Sequence, residues 1–105
     1  EVKTKFFEVL NEANIFSKSI NSELLFIYLP RFSRSIKFSN NFEKDEILKG
    51  VKSLGIQVLD MDDLVFKKHD DPLSLFPFRR KNHYNSTGYK LISEQIANYI
   101  QKRQY

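Results

Sequence analysis

The chain has 105 residues, with 17 Lys or Arg against 13 Asp or Glu, a formal net charge of +4, and no cysteine. That length suits one domain, and 41% hydrophobic with 29% charged residues is the balance of a folded globular chain, not a disordered one. The missing cysteines exclude a disulfide framework and a thiolate metal site and leave the compartment open. The longest apolar run, Leu24 to Leu29, is too short for a transmembrane segment. Lys3, Lys5 and Glu8 break any signal-peptide pattern at the start. The chain opens on Glu1 instead of Met, as expected of a processed product or a piece of a longer chain.

The first element is a predicted helix over residues 2–19. Val2, Phe6, Val9, Leu10 and Ala13 recur at helical spacing. Leu24 to Leu29 runs apolar without alternation, the pattern of a strand covered on both faces in a parallel sheet, and Pro30 ends it. Residues 31–41 read as a polar loop. A second helix is predicted from Phe42 to Leu54, with Asn41 as N-cap, Glu43, Asp45 and Glu46 near its positive end, and Gly55 just past its end. Its inner face is Ile47, Leu48, Val51 and Leu54. Ile56 to Leu59 is a short strand ending at Asp60, followed by a turn or short helix from Met61 to Phe66. Residues 67–85 show no period, yet Leu73, Leu75, Phe76 and Phe78 predict a loop that packs down. The last helix begins near Ser86, with Ile92, Ile96, Tyr99 and Ile100 as its apolar stripe.

Helix, strand, helix, strand, helix is the order of an α/β layered fold with a small parallel sheet. Ligands of such folds lie beyond the carboxyl ends of the strands. Pro30 with Arg31, Asp60 and the loop leading to His83 all belong to that edge. Two strands leave apolar faces uncovered, so self-association or apolar exposure along a sheet edge is expected.

The segment from His83 to Gly88 holds the chemistry. Asn85 can cap the last helix, Gly88 in its first turn allows close approach of that helix to the sheet, and His83 is held just ahead of the helix start. A histidine there can serve as a general base. Gly55-Ile56-Gln57-Val58-Leu59-Asp60 followed by His83-Tyr84-Asn85-Ser86-Thr87-Gly88 resembles the C-terminal part of the SGNH, or GDSL-type, hydrolases, where a Gly-Ile-x-Val-x-Asp strand precedes His-x-Asn-x-x-Gly. The resemblance covers roughly residues 23–101.

It implies a three-layer α/β/α, flavodoxin-like domain and a Ser-His-Asp hydrolase or O-acyltransferase, with His83 as the base. Asn85, Gly88 and Asp60 would be structural at the site. The family's acid normally stands three residues before the histidine, where this chain has Arg80. Asp70 or Asp71 could substitute, or a backbone carbonyl could orient His83 in a Ser-His dyad. The Gly-Asp-Ser nucleophile block and the glycine and asparagine oxyanion blocks are absent, and Ser33, Ser35 and Ser39 follow the wrong strand. The chain then corresponds to the second half of one domain. It would be inactive alone, with a missing N-terminal half as its partner and an ester-bearing small molecule, carbohydrate or lipid as the substrate of the whole.

Two other classes draw on some of these residues. Arg79, Arg80, Lys81 and Lys90, with Tyr84 and Tyr89 between them, could form a non-catalytic module for phosphate or nucleic acid. A net +4 is modest for that task, so nucleic acid is not the expected partner. His69, Asp70, Asp71 and His83 are metal-ligating types at a spacing that matches no metal template, so neither a metal nor another cofactor is expected.

Overall fold

A computed structural model describes residues 2–32 and 42–103. The elements are α1 (Val2–Ser19), β1 (Leu25–Tyr28), α2 (Phe42–Ser53), β2 (Gln57–Asp60), a π-helical turn (Asp62–Phe66), two 3-10 turns (Pro72–Leu75 and Pro77–Arg79) and α3 (Ser86–Arg103). β1 and β2 pair in parallel, which makes the chain a mixed α/β structure with a two-stranded sheet among the described residues. Asn41 and the three serines at 33, 35 and 39 lie outside the described residues. No described helix is long and apolar enough to cross a membrane.

The described residues group into two compact units, residues 2–27 with 42–58 and residues 28–32 with 59–103. In the first, α1 packs on α2 and on β1. Phe6 meets Phe26 edge-to-face with ring centroids 6.2 Å apart. The Phe7 ring occupies the space a side chain at Gly50 would need, since a Cβ there would lie 2.5 Å from Phe7 Cζ. That close approach accounts for a glycine in mid-helix, where it costs about 1 kcal/mol against alanine. Leu48 and Val51 are buried on the inner face of α2, and Gly55 takes φ +80° just past its end.

α1 turns in only part of the stripe its spacing suggests, with Phe6, Leu10 and Ala13 half-buried. Val2 is 86% exposed and Val9 63%, while Asn14 is only 6% exposed. Phe16 and Ile20 extend the outward stripe. The apolar exposure of this unit therefore runs along α1. Asn14 turns inward because it has a bond to make: its Nδ2 donates to the Leu54 carbonyl at 3.0 Å, one of the acceptors a helix end leaves without an intrahelical donor. α1 itself closes with a Schellman arrangement. Ser22 N–H reaches the Ser17 carbonyl, Asn21 N–H reaches the Lys18 carbonyl, and Asn21 takes φ +59°.

β1 is half-buried at all four residues, where a fully covered strand was expected. A two-stranded sheet gives each strand a hydrogen-bonded neighbour on one side only. In the second unit the interior comes from turns. Met61, Val65, Phe66, Leu75 and Phe76 are buried, and α3 packs over the 62–66 and 72–75 turns with Ile92 buried. Ile100, expected on the inner stripe, is exposed.

Replacing Asn14 with Ala should destabilise the chain by about 1–3 kcal/mol, because it strands the Leu54 carbonyl and opens a gap. Asn11→Ala, on the exposed side of the same helix, should change stability by less than about 0.5 kcal/mol. Urea denaturation of both variants checks the contrast.

Candidate functional site

The entry into α3 is fixed by one side chain. Asn85 Oδ1 accepts the Gly88 N–H at 3.0 Å, which is an N-cap bond. Its Nδ2 donates to the Ser74 carbonyl at 2.8 Å, and its own backbone N–H donates to the Leu75 carbonyl at 2.8 Å. The start of α3 is thereby tied to the 72–75 turn. Gly88 is buried in this joint. A Cβ on it would lie 2.9 Å from Tyr84 Cβ and 3.0 Å from the Leu75 carbonyl oxygen. The close approach that requires glycine is thus to the 72–75 turn and not, as the spacing alone suggests, to the sheet.

His83 stands two residues ahead of this joint, and its side chain is exposed. Its backbone N–H donates to Asn82 Oδ1 at 2.7 Å. Among the described residues the imidazole has no hydrogen-bond partner. The ring borders a cavity of about 770 Å³, within the size range of small-molecule sites. Pro30, Phe76 and the half-buried Tyr84 form its floor, and Arg31, Lys81 and His83 stand at its exposed rim. Leu29 to Phe32, which follow β1 directly, make one wall. The cavity therefore opens beyond the carboxyl end of β1, where α/β folds place ligands.

Tyr84 anchors the floor. Its hydroxyl donates to the Pro30 carbonyl, 54 residues away in sequence. Its ring lies 5.0 Å from that of Phe66, 5.4 Å from Phe76 and 5.5 Å from Tyr89. Burial pushes the phenol well above its ordinary value of 10, and the neighbouring Tyr28, Tyr89 and Asp62 add to the shift. Arg31, expected with Pro30 at the strand-end edge, lines the cavity, whereas Tyr84 enters it through a contact across more than fifty residues. The pairing of a proline at a strand end with a tyrosine beside the histidine was the available signal.

The acidic candidates lie elsewhere. Asp71 forms an ion pair with Arg79 at 2.5 Å, and that hydrogen bond holds its carboxyl below the usual carboxylate range. Asp70 is exposed, and no hydrogen bond joins it or Asp71 to His83 among the described residues. Asp60 accepts the Asp62 N–H at 3.0 Å and so opens the π-helical turn. His69 Nδ1 accepts the Asp71 N–H at 3.0 Å, and no group of three or more His, Asp or Glu gathers to hold a metal among the described residues. Phe78, expected to pack down, is 93% exposed. It and Arg79 take φ of +53° and +57°, which throws the ring outward from the turn.

Asn85→Ala should cost about 1–2 kcal/mol, since it removes both the cap and the tie to Ser74. Asn85→Asp should cost less, because a carboxylate still accepts the Gly88 N–H at the positive end of α3. Tyr84→Phe should cost about 1 kcal/mol near neutral pH. It should also flatten the alkaline limb: with the folded phenol raised, the unfolded chain loses that proton first, so the native protein forfeits stability as pH climbs past 10. Denaturant midpoints from pH 7 to 11 measure all three variants.

No family model matches the chain, nor does any curated protein or solved structure.

Proposed function

We propose that this chain is the C-terminal part of a serine ester hydrolase or O-acyltransferase of SGNH type, to which it contributes the histidine base. The observation that carries the reading is the placement of His83. Its imidazole has no partner among the described residues and borders a cavity beyond the carboxyl end of β1, and its backbone stands two residues ahead of the Asn85 joint. A base needs that combination of a fixed backbone and a ring free to meet a nucleophile. The His-x-Asn-x-x-Gly spacing adds the family resemblance.

In this reading the two-stranded sheet is one part of a three-layer α/β/α, flavodoxin-like domain. The preceding half supplies the nucleophilic serine and the oxyanion donors. His83 takes the serine proton as the oxygen attacks the acyl carbon, then gives it to the departing alcohol. Water, or an acceptor hydroxyl in a transferase, reverses the sequence. With the Asp71 carboxylate engaged by Arg79, the acceptor that orients the imidazole is Asp70, a backbone carbonyl, or Asp71 released from its pair. Asn85 and Gly88 hold the backbone around the site, and Asp60 holds the start of the 62–66 turn.

The isolated chain should release nitrophenol from p-nitrophenyl acetate no faster than buffer. In the parent protein that contains it, His83→Ala should lower ester turnover by about 10³-fold or more with the circular dichroism spectrum unchanged. Asp70→Asn and Asp71→Asn should separate, with a large loss only at the true orienting group. Near-normal turnover in the His83→Ala protein would refute the assignment.

A further inference from the structure

We infer that the cavity beside His83 takes a ligand in which an apolar acyl or aryl body carries an anionic head group, a carboxylate or a phosphate, seated against Arg31 and Lys81. The inference rests on that cavity being the substrate site and adds the charge of its occupant. The floor of Pro30, Phe76 and Tyr84 suits an apolar body. The rim is of one sign: Arg31 and Lys81 stand there with His83, and no carboxylate lines the cavity among the described residues.

The contrast with neighbouring cations is informative. Arg79 is bound to Asp71, and Lys67 lies 3.1 Å from Asp63 and 4.0 Å from Asp62. Arg31 and Lys81 have no such ion pair among the described residues. Residues 72–105 carry six basic groups and one acidic, so little in that stretch offsets them. Cations gathered on one rim above an apolar floor focus a positive potential into the cavity. A planar guanidinium and an ammonium together match the oxygens of a carboxylate or phosphate. A neutral ester would leave both charges unneutralised, and a cationic ligand would be repelled.

Titration calorimetry of the whole chain at low salt, with decyl phosphate, decanoate, decanol and decyltrimethylammonium, tests this. At least one anion should saturate a single site about tenfold more tightly than decanol, and the ammonium should not saturate. The tighter anion identifies the head group. Arg31→Gln and Lys81→Gln are exposed changes that should leave the fold intact; each should weaken the anion roughly threefold to tenfold and leave decanol unaffected. Added salt should narrow the gap between anion and alcohol. Equal affinity for decanol and both anions, wild-type anion affinity in both variants, or no saturation by either anion would overturn the inference. These probes have no acyl ester to cleave. Anion binding without His83-dependent turnover would therefore contradict the catalytic reading alone, and His83-dependent turnover without anion binding would contradict the charge assignment alone.

Discussion

Asn85 uses every hydrogen-bonding group it has in one joint. Its side-chain oxygen caps Gly88, its side-chain nitrogen reaches Ser74, its amide reaches Leu75, and its carbonyl accepts the Tyr89 N–H. Two of these bonds cross from α3 to the 72–75 turn, so the first turn of the helix and that turn hold each other in place. The demand on residue 88 follows, because the backbones approach too closely for a side chain. So does the position of His83, whose backbone is held two residues upstream while its ring stays open to the cavity. A net hydrogen bond contributes about 1 kcal/mol, so several on one residue are a substantial part of the stability of a short chain.

The second unit builds this site without an extensive sheet behind it. Its buried side chains sit largely on turns, and aromatic rings do the filling. Phe66, Phe76 and Tyr84 are in mutual contact, with Phe32 edge-to-face on Phe76 at 5.2 Å and Tyr89 on Tyr84. Large rings bury much area per residue, which compensates for the small core a chain of this length allows. The Tyr84 hydroxyl joins this cluster to the chain leaving β1. The floor of the cavity and the wall after β1 are thus one piece of structure. At the exposed bend of Phe78 and Arg79 two side-chain-bearing residues adopt left-handed backbone, and the Asp71 pair secures the second of them.

What could be read from the sequence was local. The span of α1 and the start of α3 follow from apolar spacing and from Asn85 as a cap, and both parallel strands follow from apolar runs between helices. The face of α1 follows only in part, with Phe6, Leu10 and Ala13 half-buried but Val2 and Val9 exposed, because its apolar residues occupy more than one stripe. The Leu54 carbonyl, forty residues away from Asn14 in sequence, selects which stripe turns inward. Phe78 is the reverse case: its apolar character predicts burial, but its backbone conformation turns it out. At the site, His83, Asn85 and Gly88 are legible because their spacing is that of a helix entry. Arg31 is legible as the residue just past a strand end, but the role of Tyr84 is not, because the loop after β1 and the approach to α3 converge only in the folded chain.

The central claim is that the Asn85 joint fixes the backbone that carries His83. Amide hydrogen exchange, followed by NMR on the native chain, tests it at the bonds themselves. The Asn85 and Gly88 N–H groups, donated to the Leu75 carbonyl and to the Asn85 side chain, should exchange about as slowly as amides in the middle of α3, near Ile92. Exchange of both at the rate of an unstructured peptide, with the α3 interior still protected, would contradict the account and leave His83 on a segment with no fixed geometry.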